Sequence, residues 1–542
     1  MLTPKTTDQT DDGVEPQSHD DLESPQQRPR TIPVPKLQLL SVCVSRVAEP
    51  IAYSQIFPYV NQMILKLGIT NDPKRVGYYS GTLESMFALA QVLTVYGYGR
   101  LSDRIGRKPV ILFSVFAMAL SSGLFGLSRS FAHMAVARTF VGLLSGYTSV
   151  IQSILGEITD GTNQALAVAY SAYALCYPIG TFIGPLIGGT LANPNESMPH
   201  LVPASLHGLF NKYPYMLPSL ATCVVTVMSF AFLLLFMEET LPSISRHKAC
   251  KSSGTSTPSS SYGAAIERTG SKQDTKSSLN IPPITERSPC LSNSNRVEDE
   301  LPKKYPSETD ALLADLEDNE DEEPRNWTVR ELLKLPELRQ LYLSSAVLSF
   351  LADGYVGVFV LFSYTEIQYG GLGFKPAEIG FMLATAGGIS LVLRILVLPI
   401  IMLRGEPTKT FKICMALLPI GYAIPPILNI IARVSSGNGE HEIGTAASAA
   451  IWTGILLAEI LTKSSTIAYS VNLVIARQCA PDQRALGATN GLNLLFMAGA
   501  RMFAPVTINT LFALSTEQNW LGGHLVWVIM VVLSVLGWKA SA

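Results

Sequence analysis

The sequence has little charge and almost no excess of either sign. Only 15% of its 542 residues are charged, and the formal net charge is -2. Proteins that bind nucleic acid present a concentrated basic surface to the phosphates, so this composition excludes nucleic acid as an expected partner. The hydrophobic content of 48% is instead typical of a membrane protein that also carries polar segments.

Reactive and metal-ligating residues are also scarce. The seven cysteines occur singly, without the paired spacing of a zinc site or a disulfide framework. The sequence contains no arrangement of Ser, His and Asp or of Cys and His that predicts a nucleophile, and no glycine-rich loop for nucleotide phosphates. It therefore predicts no enzyme activity, no cofactor, no metal site and no ATP-driven pump.

Long apolar runs are what the chain has in abundance. Each run has about 20 residues or more, enough to cross a hydrocarbon core of about 30 Å as a helix. Six runs precede a long polar stretch and six follow it, at 37–64, 76–98, 109–127, 131–155, 165–191, 215–236, 341–365, 379–403, 411–432, 447–474, 486–513 and 521–538. The sequence thus predicts an all-α membrane protein with twelve transmembrane helices, called helices 1 to 12 below.

Polar segments divide the chain into four parts. We expect a tail at 1–36, a six-helix half at 37–237, a linker at 238–326 and a second six-helix half within 327–542. The tail and the linker have too few apolar residues to bury a core, so both are predicted to be disordered, and the tail lacks the apolar region of a cleaved signal peptide. At the start of the last part, residues 327–335 predict a short amphipathic helix on the inner leaflet.

The connection between helices 2 and 3 orients the protein. Residues 99–109 place four cations in a short loop. Loops rich in Lys and Arg stay on the cytoplasmic side of a membrane, and an even number of spans then puts both termini and the linker in the cytoplasm. Most other connections agree, although Lys66, Lys74 and Arg75 fall on the outer side.

The same loop resembles the signature loop of the major facilitator superfamily of secondary transporters, G-x-L-[AS]-D-R-x-G-R-K. The residues that carry the resemblance are Gly99, Asp103, Arg104, Gly106, Arg107 and Lys108. The resemblance implies two six-helix pseudo-repeats. It also implies a conformational latch, in which Asp103 binds Arg107 and the positive end of a helix from the other half, while Gly99 allows close helix approach. The alternative is an ordinary basic loop that only sets the topology.

Helix 5 carries a second motif, which resembles the g-x-x-x-G-P-x-x-G-G sequence of exporting, proton-antiporting members of the superfamily. Its residues are Gly180, Gly184, Pro185, Gly188 and Gly189. Glycines four residues apart form a smooth stripe on one face of a helix, and we expect this stripe to pack tightly against the opposite half. The alternative is a general small-residue packing helix, which is common in membranes.

Ionisable residues within apolar runs are costly in lipid, so each is a candidate for a transport cavity. Arg138 lies in an R-x-x-x-G sequence that resembles a third superfamily motif, in which the Arg faces the cavity. A carboxylate in such a cavity can take up a proton near neutral pH, and Glu49 is our first choice for proton coupling, with Asp353 second. The full set of candidates is Arg46, Glu49, Tyr53, Glu84, Arg138, Asp353 and Glu459.

Glu459 has two open interpretations. It lies one helical turn from Lys463, so the two side chains are expected to pair, and a satisfied ion pair needs no transport role. Arg394 and Arg501 complete the charged residues within the second half.

Two short motifs predict modification and sorting. Asn195 begins an Asn-Glu-Ser sequon in a connection predicted to lie outside, where it could be glycosylated. In the linker, Glu308, Leu312 and Leu313 fit an acidic dileucine signal for a sorting adaptor. We expect the plasma membrane in preference to the vacuolar membrane.

The segment 46–59 resembles that of fungal drug:proton antiporters, including the zinc-induced-facilitator-like branch. The resemblance implies a monomeric secondary transporter in the lipid bilayer, a proton-coupled antiporter that exports small organic molecules such as drugs or secondary metabolites. The alternatives are a proton-coupled importer of a small nutrient and a membrane sensor of the same fold that transports nothing.

Overall fold

The computed structural model describes residues 35–159, 163–241, 328–436, 444–482 and 485–541, with the side chains of helix 5 described from residue 169. Within these ranges the chain is helical, with short turns and no strand. The predicted all-α fold is confirmed.

Six helices form the first half. Helix 1 is broken by a turn and helix 4 by one 3-10 turn, so each has two segments. The bounds are Lys36–Ser54 and Phe57–Lys66 for helix 1, Val76–Ile105 for helix 2, Arg107–Gly126 for helix 3, Phe131–Leu144 and Thr148–Glu157 for helix 4, Asn163–Leu191 for helix 5, and Met216–Phe236 for helix 6. Two short helices, Pro194–Ser197 and Ala204–Lys212, connect helices 5 and 6.

The second half repeats the arrangement. Helix 8 contains one π-helical turn, Leu393–Val397, and helix 10 is broken after Ser465. The bounds are Pro336–Tyr364 for helix 7, Pro376–Val392 and Leu398–Arg404 for helix 8, Pro407–Ser436 for helix 9, Thr445–Ser465 and Ala468–Gln478 for helix 10, Leu486–Glu517 for helix 11, and Leu525–Ala540 for helix 12.

Nine of the helices within the described ranges are long and apolar enough to cross a bilayer by length and composition alone. Helices 1, 2 and 12 fall outside that set. Helix 1 is interrupted, helix 2 carries several polar residues, and the apolar helix 12 is only 16 residues long. Each of the three packs against helices of that set.

The segment before helix 7 differs from the expectation. One helical turn, Val329–Leu332, forms there, closed by a capping box between Thr328 and Glu331. Leu332 is fully buried against Tyr342 and other side chains of helices 7, 10 and 11. Leu332 therefore packs on the second half, and the position of this segment along the inner leaflet stays a prediction. Trp327 lies outside the described residues.

The two halves meet at the ends of the helices that lie away from residues 99–109; we call this the far side, and the other the loop side. Helix 2 crosses helix 11 there so closely that a Cβ on Gly77 would lie 2.6 Å from the carbonyl oxygen of Asn509. A Cβ on Gly81 would lie 2.8 Å from the carbonyl oxygen of Pro505. Only glycine permits backbones to approach to this distance.

Helices 5 and 8 make a matching contact on the far side. A Cβ on Gly189 would lie 2.6 Å from the carbonyl oxygen of Pro376 and 2.8 Å from the Cα of Gly380. Arg75 and Glu517 add an ion pair of 2.8 Å between the ends of helices 2 and 11. Together, the contacts of helix 2 with helix 11 and of helix 5 with helix 8 form what we call the far seam.

On the loop side the same helices are apart. A Cβ on Gly99 of helix 2, or on Gly487 and Gly491 of helix 11, would meet nothing within 4 Å. Leu93 and Tyr96, also on helix 2, are both 69% exposed. The space between the halves is therefore closed on the far side and open on the loop side.

Candidate transport cavity

The first half contributes an ion pair on helix 1. Arg46 forms a salt bridge with Glu49, one turn away, and Gln91 of helix 2 donates a hydrogen bond of 3.3 Å to the same carboxylate. The Arg46 guanidinium also lies 5.1 Å from the ring centre of Tyr173 and 5.8 Å from that of Tyr177, both on helix 5. Such cation–π contacts leave Arg46 with favourable partners even when Glu49 is neutral.

The second half contributes an ion pair between helices. Arg501 Nε of helix 11 lies 2.9 Å from Asp353 Oδ2 of helix 7. The Arg501 side chain is 48% exposed although it lies near the middle of helix 11, which places it in the space between the halves. It is close enough to Glu49 to act on that carboxylate electrostatically. One ion pair from each half thus lies on the cavity.

Arg138 occupies a more enclosed position. Its guanidinium stacks on the rings of Tyr53 and Phe87, at 4.8 Å and 4.6 Å, and donates a hydrogen bond of 3.4 Å to the Tyr53 carbonyl oxygen. It forms no salt bridge within the described residues, but it lines a small buried pocket together with Glu84. The structure therefore places Arg138 beside the cavity, behind the Tyr53 ring.

Glu459 lies apart from these groups. It is buried within the second half, and Lys463 Nζ is 3.7 Å from its carboxylate. No hydrogen bond or salt bridge in the described ranges joins it to Arg46, Glu49 or Asp353. The pairing predicted from the sequence is present, and its location fits the structural interpretation better than a cavity role.

Several neighbours of the cavity were not singled out from the sequence. Gln91, Tyr173 and Tyr177 surround the ion pair on helix 1, and Asn509 is a fully buried polar residue of helix 11. The tyrosines lie one turn apart on helix 5, which indicates a shared face. Nothing in the local sequence indicates that this face meets helix 1.

The loop 99–109 forms a network within the first half. Arg107 binds Asp103 at 2.6 Å and Glu157 of helix 4 at 2.9 Å. The carboxylate of Glu239, just after helix 6, accepts the backbone N–H of Arg107 at 2.8 Å. Gly106 has a φ of 105°, and a Cβ there would lie 2.5 Å from the Glu239 carboxylate, so this position requires glycine.

The predicted contact of this loop with the other half is not made in this conformation. Asp103 does pair with Arg107, as predicted, but the further partners of Arg107 are Glu157 of helix 4 and Glu239 just after helix 6. Gly99 faces open space instead of a neighbouring helix. With the halves apart on the loop side, the network ties together helices of one half.

The glycine stripe of helix 5 packs on helix 1 of its own half, whereas the sequence predicts a contact with the opposite half. A Cβ on Gly180 would lie 2.8 Å from the Val47 carbonyl oxygen and one on Gly184 would lie 2.9 Å from that of Ile51, both on helix 1 of the same half. Gly188 likewise meets the backbone at the break in helix 1. Contact with helix 8 of the opposite half is made by other residues of the motif, Thr181 and Phe182 beside Gly387, and Pro185 and Gly189 beside Gly380.

Comparison with known proteins identifies the family. The model of the Major Facilitator Superfamily matches residues 52–505. This chain belongs to that superfamily. It is 34% identical to the major facilitator-type transporter psiT2 of Psilocybe cyanescens over 97% of this chain and 93% of that protein. It is 27% identical to the multidrug transporter mfsB of Aspergillus fumigatus, over 90% of this chain and 80% of the relative.

Plant and structural relatives agree with this assignment. The protein ZINC INDUCED FACILITATOR-LIKE 1 of Arabidopsis thaliana is 25% identical over 93% of this chain and 90% of its own. The crystal structure of the human organic anion transporter MFSD10 superposes with a TM-score of 0.54 at 15% identity, covering 94% of this chain and 99% of that one. The resemblance to fungal drug transporters and to the zinc-induced-facilitator branch is confirmed. The protein is a multi-pass membrane transporter of small molecules.

The connection between helices 5 and 6 of this transporter holds the sequon. Asn195 Nδ2 donates to Asn211 Oδ1 at 2.7 Å and to the His207 carbonyl oxygen at 3.2 Å, so it braces the two short helices. Lys66 donates a hydrogen bond of 2.7 Å to Glu196, which lowers the pKa of that carboxyl. Glycosylation of Asn195 stays a prediction. Glu308, Leu312 and Leu313 lie outside the described residues.

Proposed function

We propose that this transporter exports small organic molecules, drugs or secondary metabolites, from the cytoplasm in exchange for protons. The observation that carries the proposal is the cavity open on the loop side, with one carboxylate–guanidinium pair from each half on its walls. The basic loop supports a cytoplasmic position for the loop side. The conformation is then the inward-open one, in which an exporter takes up its substrate.

The relatives support export as the direction. One of them, azaK of Aspergillus niger, is described as an efflux pump and is 25% identical over 93% of this chain. Another, mfsB, is described as a multidrug transporter. Both cover nearly the whole of this chain, so the similarity includes both halves.

The chemistry of the cavity suits an exchange. Glu49 holds Arg46 only while its carboxylate is charged, because protonation removes the charge that the guanidinium binds. A proton and a substrate that carries a positive charge or a hydrogen-bond donor therefore compete for the same carboxylate. Competition at one site makes the two bind in alternation, which is the requirement for antiport. Asp353 with Arg501 is the corresponding pair of the second half.

The tyrosines of helix 5 support one class of substrate. Tyr173 and Tyr177 present their rings to the Arg46 side of the cavity, and Tyr177 is 41% exposed. Aromatic rings bind flat apolar molecules and cations over their faces. We expect amphipathic aromatic compounds, with one polar or charged group directed at the carboxylates.

Transport by right-side-out vesicles tests the direction and the coupling together. Vesicles are loaded with a panel of fluorescent aromatic cations and neutral aromatic compounds, and the external pH is lowered. An acidic exterior should drive loss of at least one compound, and collapsing the gradient with a protonophore should stop it. If the acidic exterior drives accumulation instead, the protein is a symporter and the export proposal is wrong.

A further inference from the structure

A second buried polar site lies within the first half, beside the contact of helix 2 with helix 11. Ser80 and Glu84 of helix 2 and Arg138 of helix 4 line an enclosed pocket with room for about one water molecule. All three side chains are more than nine-tenths buried. The Ser80 hydroxyl and Arg138 Nη1 have no hydrogen-bond partner in the described part of the chain.

Glu84 also reaches the opposite half. A Cβ on Gly357 of helix 7 would lie 2.8 Å from Glu84 Oε2, and 3.1 Å from both amide atoms of Asn509 of helix 11. The Glu84 carboxylate and the Asn509 carboxamide are thus within about 6 Å of each other, because both lie about 3 Å from the position of a Cβ on Gly357. Asn509 is fully buried, and neither of its amide atoms has a hydrogen-bond partner in the described ranges.

The surroundings of Glu84 favour its neutral acid over the ionised carboxylate. No hydrogen bond or salt bridge to Glu84 occurs among the residues that the structure describes. The charged or titratable groups that act on it are Arg138 from helix 4, Asp353 from helix 7 and Tyr53 from helix 1. Arg138 is outside salt-bridge distance, and Asp353 has the same charge. In this arrangement an ionised Glu84 accepts no hydrogen bond and loses its hydration without replacement, whereas the neutral acid carries a donor of its own.

The open form of the seam would reverse this preference. Separation of helix 2 from helices 7 and 11 admits water to Glu84 and removes Asn509 from its side. The ionised carboxylate is then hydrated and free to turn toward the unpartnered Arg138 Nη1, which lines the same pocket. The two forms of the seam therefore favour two protonation states of one residue.

We propose that Glu84 is the proton sensor of the far seam, which closes when Glu84 is protonated and opens when Glu84 is ionised and paired with Arg138. The proton comes from the solution on the far side and binds a carboxylate oxygen, and the acid can then donate to the Asn509 carboxamide oxygen once the two side chains turn toward each other. The inference rests on the proposed proton exchange, because this step would be the proton-driven return to the inward-open state. It assigns Glu84 a role separate from Glu49, which exchanges proton for substrate.

Distance measurements on the full chain in nanodiscs test the proposal. Nitroxide labels at Asn71 and Gln518, exposed positions on the far side of the two halves, report the width of the seam by pulsed electron resonance in a variant that lacks the native cysteines. In the parent chain, the ratio of open to closed seam should rise up to about tenfold per pH unit as the acid ionises. Glu84→Gln should hold the seam closed, with less than about a twofold change from pH 5.5 to 8.5.

Three further variants keep the test decisive. Glu49→Gln should leave the pH-dependent seam intact while removing the pH dependence of substrate binding. Asn509→Leu removes the acceptor of the protonated acid and should widen the seam at acidic pH. Glu84→Asp, which retains a carboxyl group, should keep a pH-dependent seam with a shifted midpoint, and this variant serves if the Gln form does not fold.

The outcomes separate this inference from the proposed function. A pH-dependent seam that is unchanged in Glu84→Gln, or that is lost equally in Glu49→Gln, overturns the role of Glu84. A seam whose pH dependence is lost only in Glu84→Gln supports the sensor. If the parent chain then shows no proton-driven flux in vesicles, the antiport proposal fails while the sensor stands.

Discussion

Gly189 offers a direct way to force the far seam open. In Gly189→Ala, the new Cβ would lie 2.6 Å from the Pro376 carbonyl oxygen and 2.8 Å from the Gly380 Cα. Both are backbone atoms, so no side-chain rotation relieves the overlap. Widening the shorter contact to an ordinary 3.4 Å requires helices 5 and 8 to separate by about 0.8 Å.

The cost of this overlap falls on one conformation only. Inserting a methyl group into a well-packed interface costs about 1–3 kcal/mol. Where the seam is open, the methyl group meets no opposite helix, so the cost becomes a shift in the equilibrium between the two conformations. The open form should gain by about 5- to 150-fold relative to the closed form.

The spin-labelled seam reporter measures this shift, with two glycines of the same half as matched controls. Gly184 packs on helix 1, which moves with helix 5 as part of one half, so Gly184→Ala should change stability without widening the seam. Gly99 meets nothing within 4 Å, so Gly99→Ala should leave this conformation undisturbed. An unchanged seam in Gly189→Ala, or an equal widening in Gly184→Ala, would refute the assignment of the far seam.

Three other predictions follow from the cavity, the loop and the linker. Glu49→Gln should abolish proton-driven transport at near-normal expression, while Glu238→Gln, at an exposed carboxylate, should retain it; normal proton-driven flux in the Glu49 variant would exclude the assignment. Asp103→Ala removes the largely exposed ion-pair partner of Arg107, at a cost of about 0.5 kcal/mol, and should lower turnover, keep substrate binding and increase cysteine labelling from the loop side. Labelling and flux equal to those of the parent chain would leave the loop only its role in setting the topology. Leu312→Ala/Leu313→Ala should move a tagged protein from the vacuolar membrane to the cell surface if the dileucine signal is read, whereas an identical distribution would end that hypothesis.

Local spacing was sufficient to predict the contacts within one helix. Glu459 and Lys463 are four residues apart on helix 10 and form the ion pair that this spacing predicts. The pair of Asp103 with Arg107, which the superfamily resemblance implies, also forms. The positions of the apolar runs likewise predicted the helices, because burial in lipid or protein selects for apolar residues along the whole span. Spacing along the chain does not predict which residues of different helices come into contact. Asp353 and Arg501 are 148 residues apart, and only the packing of helix 7 on helix 11 brings them together.

Motifs that serve two conformations pose a further difficulty. A pattern such as the glycine stripe indicates that close approach occurs, but a single sequence does not state in which conformation, or to which helix. Gly189 makes its contact with the opposite half when the loop side is open, and Gly99 has open space around it in that same state. A transporter must close one side as it opens the other, so contacts at its two ends alternate by necessity. The empty surroundings of Gly99 and the filled surroundings of Gly189 are thus complementary, and the superfamily's latch is expected to form when the far seam separates.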